Sequence, residues 1–399
     1  MADFDVVIAG AGPAGLSAGI SLSRLGLRVA LVEPQPAAAL AEPGFDGRDI
    51  ALTGASRQIL AELGAWQHFA PEEVSPIDRA RVSDGDGPGL LRFDLPASRQ
   101  DALGYLVSNH VIRRALFATA AAQPGITLLD GQQVTAARAT TGEARIALAD
   151  GRQMTATLLL AADSRFSEVR RMMGIAADTT PYGKTMHVFR MRHDKPHRQT
   201  AFECFNYGHT LALLPLNGLR SSVVLTVKTS HSDAIGKLGD DALADLVTRG
   251  FGRRFGDMTL ESTRHVYPLV GVYARRFAGE RFALIGDAAV GMHPVTAHGF
   301  NFGLEGQATL SELIAAAHMV GGDIGASGLL ERYESRHKRA TWPLYFGTNA
   351  IVRLYTNDAP PARLARSALL AVADRFAPAK RLIMAKLGET APHGAARFG

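Results

Sequence analysis

Six residues near the start of the chain restrict its fold more than any others. Gly10-Ala11-Gly12-Pro13-Ala14-Gly15 has the spacing GxGxxG and follows an apolar run, Phe4 to Ala9. A buried strand that ends in such a turn and continues into a helix opens a dinucleotide-binding βαβ unit. Gly10 permits the tight turn, Gly12 lets the backbone approach a pyrophosphate, and Gly15 lets helix and strand pack closely. The helix N-terminus then faces the phosphates with the positive end of its dipole. Pro13 to Leu25 has helical spacing, and Leu27 to Val32 reads as the second strand. Glu33 ends that strand, where a carboxylate accepts hydrogen bonds from a ribose.

The same region argues against a membrane span. Val6 to Ser23 is uncharged over 18 residues, which is long enough to be tested as one. Gly10, Gly12, Pro13, Gly15 and Gly19 make it strand, turn and helix instead. The first residues are acidic, so no secretory signal is expected. A single cysteine, Cys204, excludes an intrachain disulfide framework and Cys-rich metal sites, and points to a cytoplasmic protein.

Further along, Asp49 to Gly64 reads as a helix, and Gly104 to Ala122 contains another. Ile126 to Asp163 reads as a meander, with strands near Gln132–Ala139, Glu143–Ala149 and Gln153–Ala161. Met186 to Arg192, Thr200 to Tyr207, Thr210 to Leu216 and Ser221 to Thr229 are further strands. Arg281 to Ile285 is one more, and the remainder reads as mostly helical. Pro34 to Gly44 is the most linker-like stretch. Dinucleotide-type features thus stand at both ends of a strand-rich insert. The expected division is a discontinuous cofactor domain of residues 1–72, 98–176 and 276–345, a substrate domain of 73–97 and 177–275, and a helical C-terminal region, 346–399.

Two later motifs carry chemistry. Gly286-Asp287 follows the strand at Arg281, where an aspartate can bond the hydroxyls of a polyol chain. His293-Pro-Val-Thr-Ala-His-Gly-Phe-Asn-Phe-Gly-Leu304 opens a helix from about Gly299, whose N–H groups suit the negative charge of a reduced flavin.

With these motifs, the chain resembles the class A FAD-dependent aromatic monooxygenases, whose fold is that of para-hydroxybenzoate hydroxylase. Asp46-Gly-Arg-Asp-Ile-Ala-Leu52, Gly104 to Leu116 and Leu211 to Leu216 make it more similar to the ubiquinone-biosynthesis hydroxylases of the UbiH, UbiF and UbiM type. The resemblance covers nearly the whole chain. It implies an α/β fold, with a Rossmann-like FAD-binding domain interleaved with a strand-rich substrate domain. By resemblance, Gly10, Gly12, Pro13, Ala14, Gly15, Glu33, Arg48, Asn109, Val134, Asp163, Gly286, Asp287, Pro294, Gly299, Phe300 and Asn301 bind the cofactor. Val134 does so beside the adenine, through its backbone. Three positions depart from the commoner pattern: Ser164 replaces a Gly, Val290 a His, and Ala297-His298-Gly299 a Gly-Gln-Gly. These departures resemble the UbiM-type branch. His298, where Gln is usual, is the candidate proton-handling residue, since imidazole titrates near neutrality.

The activity implied is hydroxylation of a polyprenylated phenol or quinol in ubiquinone biosynthesis. It uses non-covalent FAD, NAD(P)H or another reductant, and O2, through a flavin C4a-hydroperoxide. Two alternatives stand beside it: a flavin hydroxylase of a small soluble phenol, and a non-catalytic flavin-binding subunit of a biosynthetic complex.

Charge adds one observation. The net charge is +5, and residues 359–399 hold seven Lys/Arg against Asp374 and Glu389, so the rest of the chain is neutral. A basic amphipathic end points to an anionic surface, such as the inner face of the cytoplasmic membrane, or to partners in a ubiquinone-biosynthesis complex. No nucleic-acid-binding pattern is present. His193 and His197 have the spacing of a helical metal pair, but Pro196 argues against a helix there, so no metal is expected. His187, Tyr207 and His209 are expected to be structural.

Overall fold

The computed structural model describes residues 2–84, 90–95, 102–206, 208–293 and 298–356. The chain opens with β1 (Phe4–Ala9), α1 (Pro13–Ser23), β2 (Val29–Glu33) and α2 (Ala37–Ala41). It continues with β3 (Asp49–Leu52), α3 (Gly54–Glu62), β4 (Val74–Ile77), β5 (Arg79–Asp84), β6 (Leu90–Asp94), β7 (Gly104–Ser108) and α4 (Asn109–Ala121). Next come β8 (Ile126–Asp130), β9 (Val134–Ala139), β10 (Ala144–Leu148), β11 (Gln153–Ala161) and α5 (Glu168–Met172). The middle of the chain forms β12 (Ala177–His193), β13 (Thr200–Asn206), β14 (His209–Leu216), β15 (Arg220–Lys228), α6 (Thr229–Gly236), α7 (Asp240–Gly250), β16 (Met258–Leu260) and β17 (His265–Ala274). The described residues end with β18 (Ala278–Gly279), β19 (Phe282–Leu284), β20 (Val290–Gly291), α8 (His298–His318) and α9 (Ser327–Thr356).

An 8-stranded sheet runs in the order β18-β19-β11-β1-β2-β8, with β10 and β9 continuing from β11. Its centre is parallel: β1 pairs with β11 and β2, β2 with β8, and β11 with β19. Val6, Val7 and Ile8 are fully buried there. Each such side chain contributes roughly 1.5–3 kcal/mol by leaving water. This is the continuous apolar strand expected of a parallel sheet covered on both faces. Sequence reading finds β9, β10 and β11 within a few residues of their ends.

A 9-stranded sheet has the order β20-β17-β12-β15-β14-β13-β5-β6, with β16 on β12. One face buries Phe189, Met191, Leu211, Leu213, Val223 and Leu225 against Leu243, Val247 and Phe251 of the α7 region. Along β14 the residues between them are only part-buried. That second, inner face is turned toward the segment Phe45–Asp49, as the contacts below show. A small sheet, β3-β7-β4, is made from the segment between β2 and β8, which also supplies β5 and β6.

Four expectations change. Asp49–Leu52 is a strand, not the start of a helix, because Asp49 and Leu52 pair with Ser108 and Tyr105 of β7. Thr53 then starts α3 by accepting a bond from the Ser56 N–H, a cap worth about 1 kcal/mol. The linker-like Pro34–Gly44 contains α2, whose Ala37 N–H donates to Asp130. His265–Ala274 is a long strand rather than helix, because it pairs with β12. Finally, α9 runs on to Thr356 with Pro343 inside it, so the boundary expected at residue 346 falls within a helix. Among the described residues, no helix is long and apolar enough to cross a membrane. The basic stretch 359–399 lies outside the described residues.

Candidate cofactor and active site

The Gly-rich turn does with each glycine something a side chain would prevent. Gly10 has φ +102°, and a Cβ on it would stand 2.6 Å from the Ala162 carbonyl oxygen. A Cβ on Gly15 would stand 1.9 Å from the Gly10 oxygen. Gly12 differs: a Cβ there meets nothing within 4 Å. Gly12 is also the N-cap of α1, with Pro13 behind it and no side chain capping the helix. The first turn therefore presents uncapped N–H groups, beside a Gly that faces open space. Ala14 touches the other Gly-rich turn, since a Cβ on Gly286, at φ +62°, would lie 2.8 Å from the Ala14 Cβ.

Glu33 closes this region. Its Oε2 accepts from the Ala11 N–H at 2.8 Å, and its Oε1 from the Gln35 N–H at 3.1 Å. A carboxylate has further lone pairs for a ligand hydroxyl. Gln132 donates to the Glu33 carbonyl, which sets Val134, at the start of β9, beside the end of β2.

Arg48 and Asn109 are brought together by a residue that sequence reading gave no role. Asp46 accepts from Arg48 Nη2 at 2.6 Å and from Asn109 Nδ2 at 2.7 Å. Burial alone would raise the pKa of Asp46, but the bonds and charge of Arg48, with Asn109, hold it below the ordinary range. Tyr267 of the inner face donates to the Asp46 carbonyl at 2.6 Å, and the Arg48 guanidinium lies over its ring. Next to it, Arg190 pairs with the fully buried Asp49 carboxylate at 2.6 Å and lies over Phe45. Phe45 also meets His265 and His110 edge-on. The Arg48 segment is thereby tied to the inner face of the large sheet.

Asp163 is committed locally. It accepts from the Ser167 hydroxyl and the Val169 N–H, at the start of α5. Ser164 has φ +82°, the left-handed conformation that favours Gly. Its neighbour Arg165, also given no role from sequence, donates to Asp287. The buried Arg170 donates to the Ala288 carbonyl at 2.7 Å and so holds the Gly286–Ala288 turn against α5.

The third motif is described from His298 onward and up to His293; Pro294 lies outside the described residues. His293 is buried edge-on against Tyr182, and burial, with the nearby Lys184, pushes its pKa down to about 4. His298 begins α8 with its ring 5.6 Å from Phe302. Gly299 approaches Met292, and Phe300 packs on the core. Asn301 accepts from the Thr53 N–H and donates to the Ala51 carbonyl. It braces α8 against the β3–α3 junction.

The discounted histidines have structural partners. His193 and His197 do meet, edge to face at 5.4 Å. Their nitrogens bond Lys195, Ser221, Leu216 and Gln199. His187 bonds Ser232, and His209 bonds Asn206; Tyr207 lies outside the described residues. Among the described residues, no three metal-binding side chains cluster.

Comparison with known proteins matches residues 3–345 to the FAD binding domain family. The chain is 45% identical over 387 residues to the ubiquinone hydroxylase UbiM of Neisseria meningitidis, covering 96% of this chain and 84% of that protein. The chain belongs to the FAD-dependent ubiquinone hydroxylase family. This hydroxylase is also 35% identical to the ubiquinone hydroxylase UbiL of Rhodospirillum rubrum, over 95% of its own length and 88% of the other. Its fold matches p-nitrophenol 4-monooxygenase PnpA from Pseudomonas putida, with a TM-score of 0.74 at 17% identity, covering 96% and 97% of the two chains. FAD is the cofactor. Gly12, open where Gly10 and Gly15 are blocked by protein, fits a pyrophosphate, and Glu33 fits the ribose beyond it.

Proposed function

We propose that this hydroxylase adds a hydroxyl group to the aromatic ring of a polyprenylated phenol or quinol precursor of ubiquinone, with NAD(P)H or another reductant and O2. The identity of 45% along almost the whole chain carries this reading. When bound, FAD supplies the activation of O2.

The protein's own residues bind, orient and exclude water. The α1 N-terminus at Gly12–Ala14 holds the pyrophosphate, with Gly10 and Gly15 shaping the turn. Glu33 bonds the ribose, and the Val134 backbone lies along the adenine. Asp287 bonds the ribityl chain beside Gly286. Arg48 and Asn109, held together by Asp46, meet the flavin ring, while Pro294, Gly299, Phe300 and Asn301 shape the loop and helix end at its reacting edge. Asp163, which also braces the start of α5 through Ser167 and Val169, meets the cofactor from the Ser164 turn. His298 handles a proton at the reacting edge. Residues 1–72, 98–176 and 276–345 serve the cofactor, and 73–97 and 177–275 the substrate. The basic stretch 359–399 brings the enzyme to an anionic membrane surface, or to partners in the pathway.

The test is expression in a host stripped of its own ubiquinone hydroxylases, with quinone intermediates read by mass. Restored hydroxylated intermediates support the reading. Hydroxylation of small soluble phenols alone, or a bound flavin with no hydroxylation, would overturn it. Deleting residues 359–399 should reduce cosedimentation with anionic vesicles.

A further inference from the structure

The inner face of the large sheet carries an acidic residue with no role in the account above. Cross-strand register places Glu203 opposite Ala212, Ala212 opposite Val224, Val224 opposite Val188 and Val188 opposite His265. Glu203 thus stands in an apolar lane, between Val82 on one side and Ala212 on the other, and the far end of that lane, His265, touches Phe45 beside the Arg48 segment. Phe202 and Cys204, its neighbours along β13, belong to the α7 face, so Glu203 belongs to the inner one. The side chain lies deep in the protein, and the residue keeps part of its surface accessible. Among the described residues, no hydrogen bond or ion pair satisfies its carboxyl.

We propose that Glu203 accepts a hydrogen bond from a ring hydroxyl of the substrate, orients the ring over Ala212 and Val224 toward the Arg48 segment and, when ionised, polarises that hydroxyl. The proposal rests on the phenolic substrate class inferred above. A buried polar group without a partner costs stability. A hydroxyl that arrives with the ligand removes that cost, and a hydroxyl is what a phenolic ring brings. The flanking surface is apolar, as a prenylated ring requires. Polarising the hydroxyl enriches the ring in electrons, which favours attack by an electrophilic oxygen.

The surroundings explain why the group titrates near neutrality. Burial raises the Glu203 carboxyl to about 8, and no cation offsets it. Its nearest neighbours across the sheet are Ala212 and Val82. Arg79 and Arg81 of β5 fall on the opposite alternation and pair with Asp94. Asp84 stands opposite Phe205, and His209 opposite Asn206, at the strand ends. Cys204 is on the α7 face, and His265 closes the far end of the lane.

The full-length, FAD-loaded protein tests this with 2-prenylphenol and its methyl ether, titrated against the oxidised flavin spectrum. At pH 7 the phenol should bind the wild type and Glu203→Gln alike, since both keep a neutral acceptor. Glu203→Ala should bind it about fivefold to tenfold more weakly, the worth of one hydrogen bond. The ether, which has no proton to give, should bind all three equally. From pH 7 to 9, affinity for the phenol and its hydroxylation rate should rise in the wild type and stay flat in Glu203→Gln. Unchanged phenol binding in Glu203→Ala with a native flavin spectrum, an ether that discriminates as the phenol does, or a pH rise persisting in Glu203→Gln would each overturn the proposal. Phenol binding without hydroxylation would instead sink the proposed activity and leave the anchoring role standing.

Discussion

Arg165 and Asp287 meet across two turns that are far apart in the sequence: Nη2 donates at 2.9 Å and Nε at 3.3 Å, both to Asp287 Oδ2. Both bonds use one oxygen, which leaves Oδ1 for the proposed bond to the ribityl chain. The pair is about one-third exposed, so its own contribution to stability is small, roughly 0–1 kcal/mol. Asp287→Ala should therefore leave the fold intact and weaken FAD binding by roughly tenfold to a hundredfold, the cost of a hydrogen bond to a charged acceptor. Titration of FAD-stripped protein with FAD reads this directly; unchanged affinity would place Asp287 outside the cofactor site.

Two glycines of one motif should fail in different ways. Gly15→Ala drives a methyl into the Gly10 carbonyl and should prevent a stable fold. Gly12→Ala meets no protein atom, so the FAD-stripped protein should melt within a few degrees of the wild type while FAD affinity falls. Thermal unfolding with and without FAD separates the two. Equal destabilisation of the FAD-stripped proteins would mean that Gly12 faces protein rather than ligand.

Ser164 occupies a left-handed conformation that costs an L-residue roughly 1–2 kcal/mol. Ser164→Gly removes that cost but adds freedom to the unfolded chain, worth roughly 0.5–1 kcal/mol. The net expectation is a gain of up to about 1 kcal/mol, seen as a higher midpoint in urea. A loss would mean that the Ser164 hydroxyl contributes more than its backbone costs.

Acid should destabilise the protein through its buried histidines. His337 is enclosed between α8 and α9, stacked on Tyr333, and burial pushes its pKa down to about 4. His293 behaves likewise. Between pH 4 and 6.5 the unfolded chain binds a proton at each of these positions that the native protein refuses, so stability falls as pH falls through this window. The slope is up to about 1.4 kcal/mol per pH unit for each histidine. His337→Gln should give a shallower dependence in urea melts across that range; an identical slope would show that His337 protonates in the native state.

For His298, the informative replacement is Gln, which does not titrate. Stopped-flow reduction by NAD(P)H and reoxidation should depend on pH between about 5 and 8 in the wild type. The dependence should disappear in His298→Gln. Superimposable profiles would leave His298 as a helix-end residue packed on Phe302.

What could be read from the sequence divides by distance along the chain. Gly10, Gly12, Gly15 and Glu33 announce themselves because strand, turn, helix and acid lie within one βαβ unit. Strands β9 to β11 were legible because alternation and turn residues are local signals. Asp49–Leu52 looked helical because nothing nearby reveals its pairing with Ser108 through Tyr105. Asp46 and Arg165 went unassigned for the same reason. Asp46 acquires its role only when Asn109, at the start of α4, and Tyr267 of β17 arrive from distant parts of the chain, although the Asp46-x-Arg48 spacing was a signal that could have found it. Glu203 reads as one acidic residue in a strand, and only the register of five strands shows that it shares an apolar lane with His265.

The strand β19, Phe282–Leu284, pairs in parallel with β11, at the edge opposite β1. During synthesis, β1, β2, β8 and β11 all leave the ribosome before β12 to β17 of the 9-stranded sheet are made, and β19 follows only after these. For that interval Leu159–Ala161 of β11, beyond the stretch that β10 pairs, offer an unpaired apolar edge, the kind that recruits other chains. A ribosome that stops between Ala161 and Phe282 therefore releases a nucleotide-binding half with its edge open, and such fragments should accumulate in inclusion bodies.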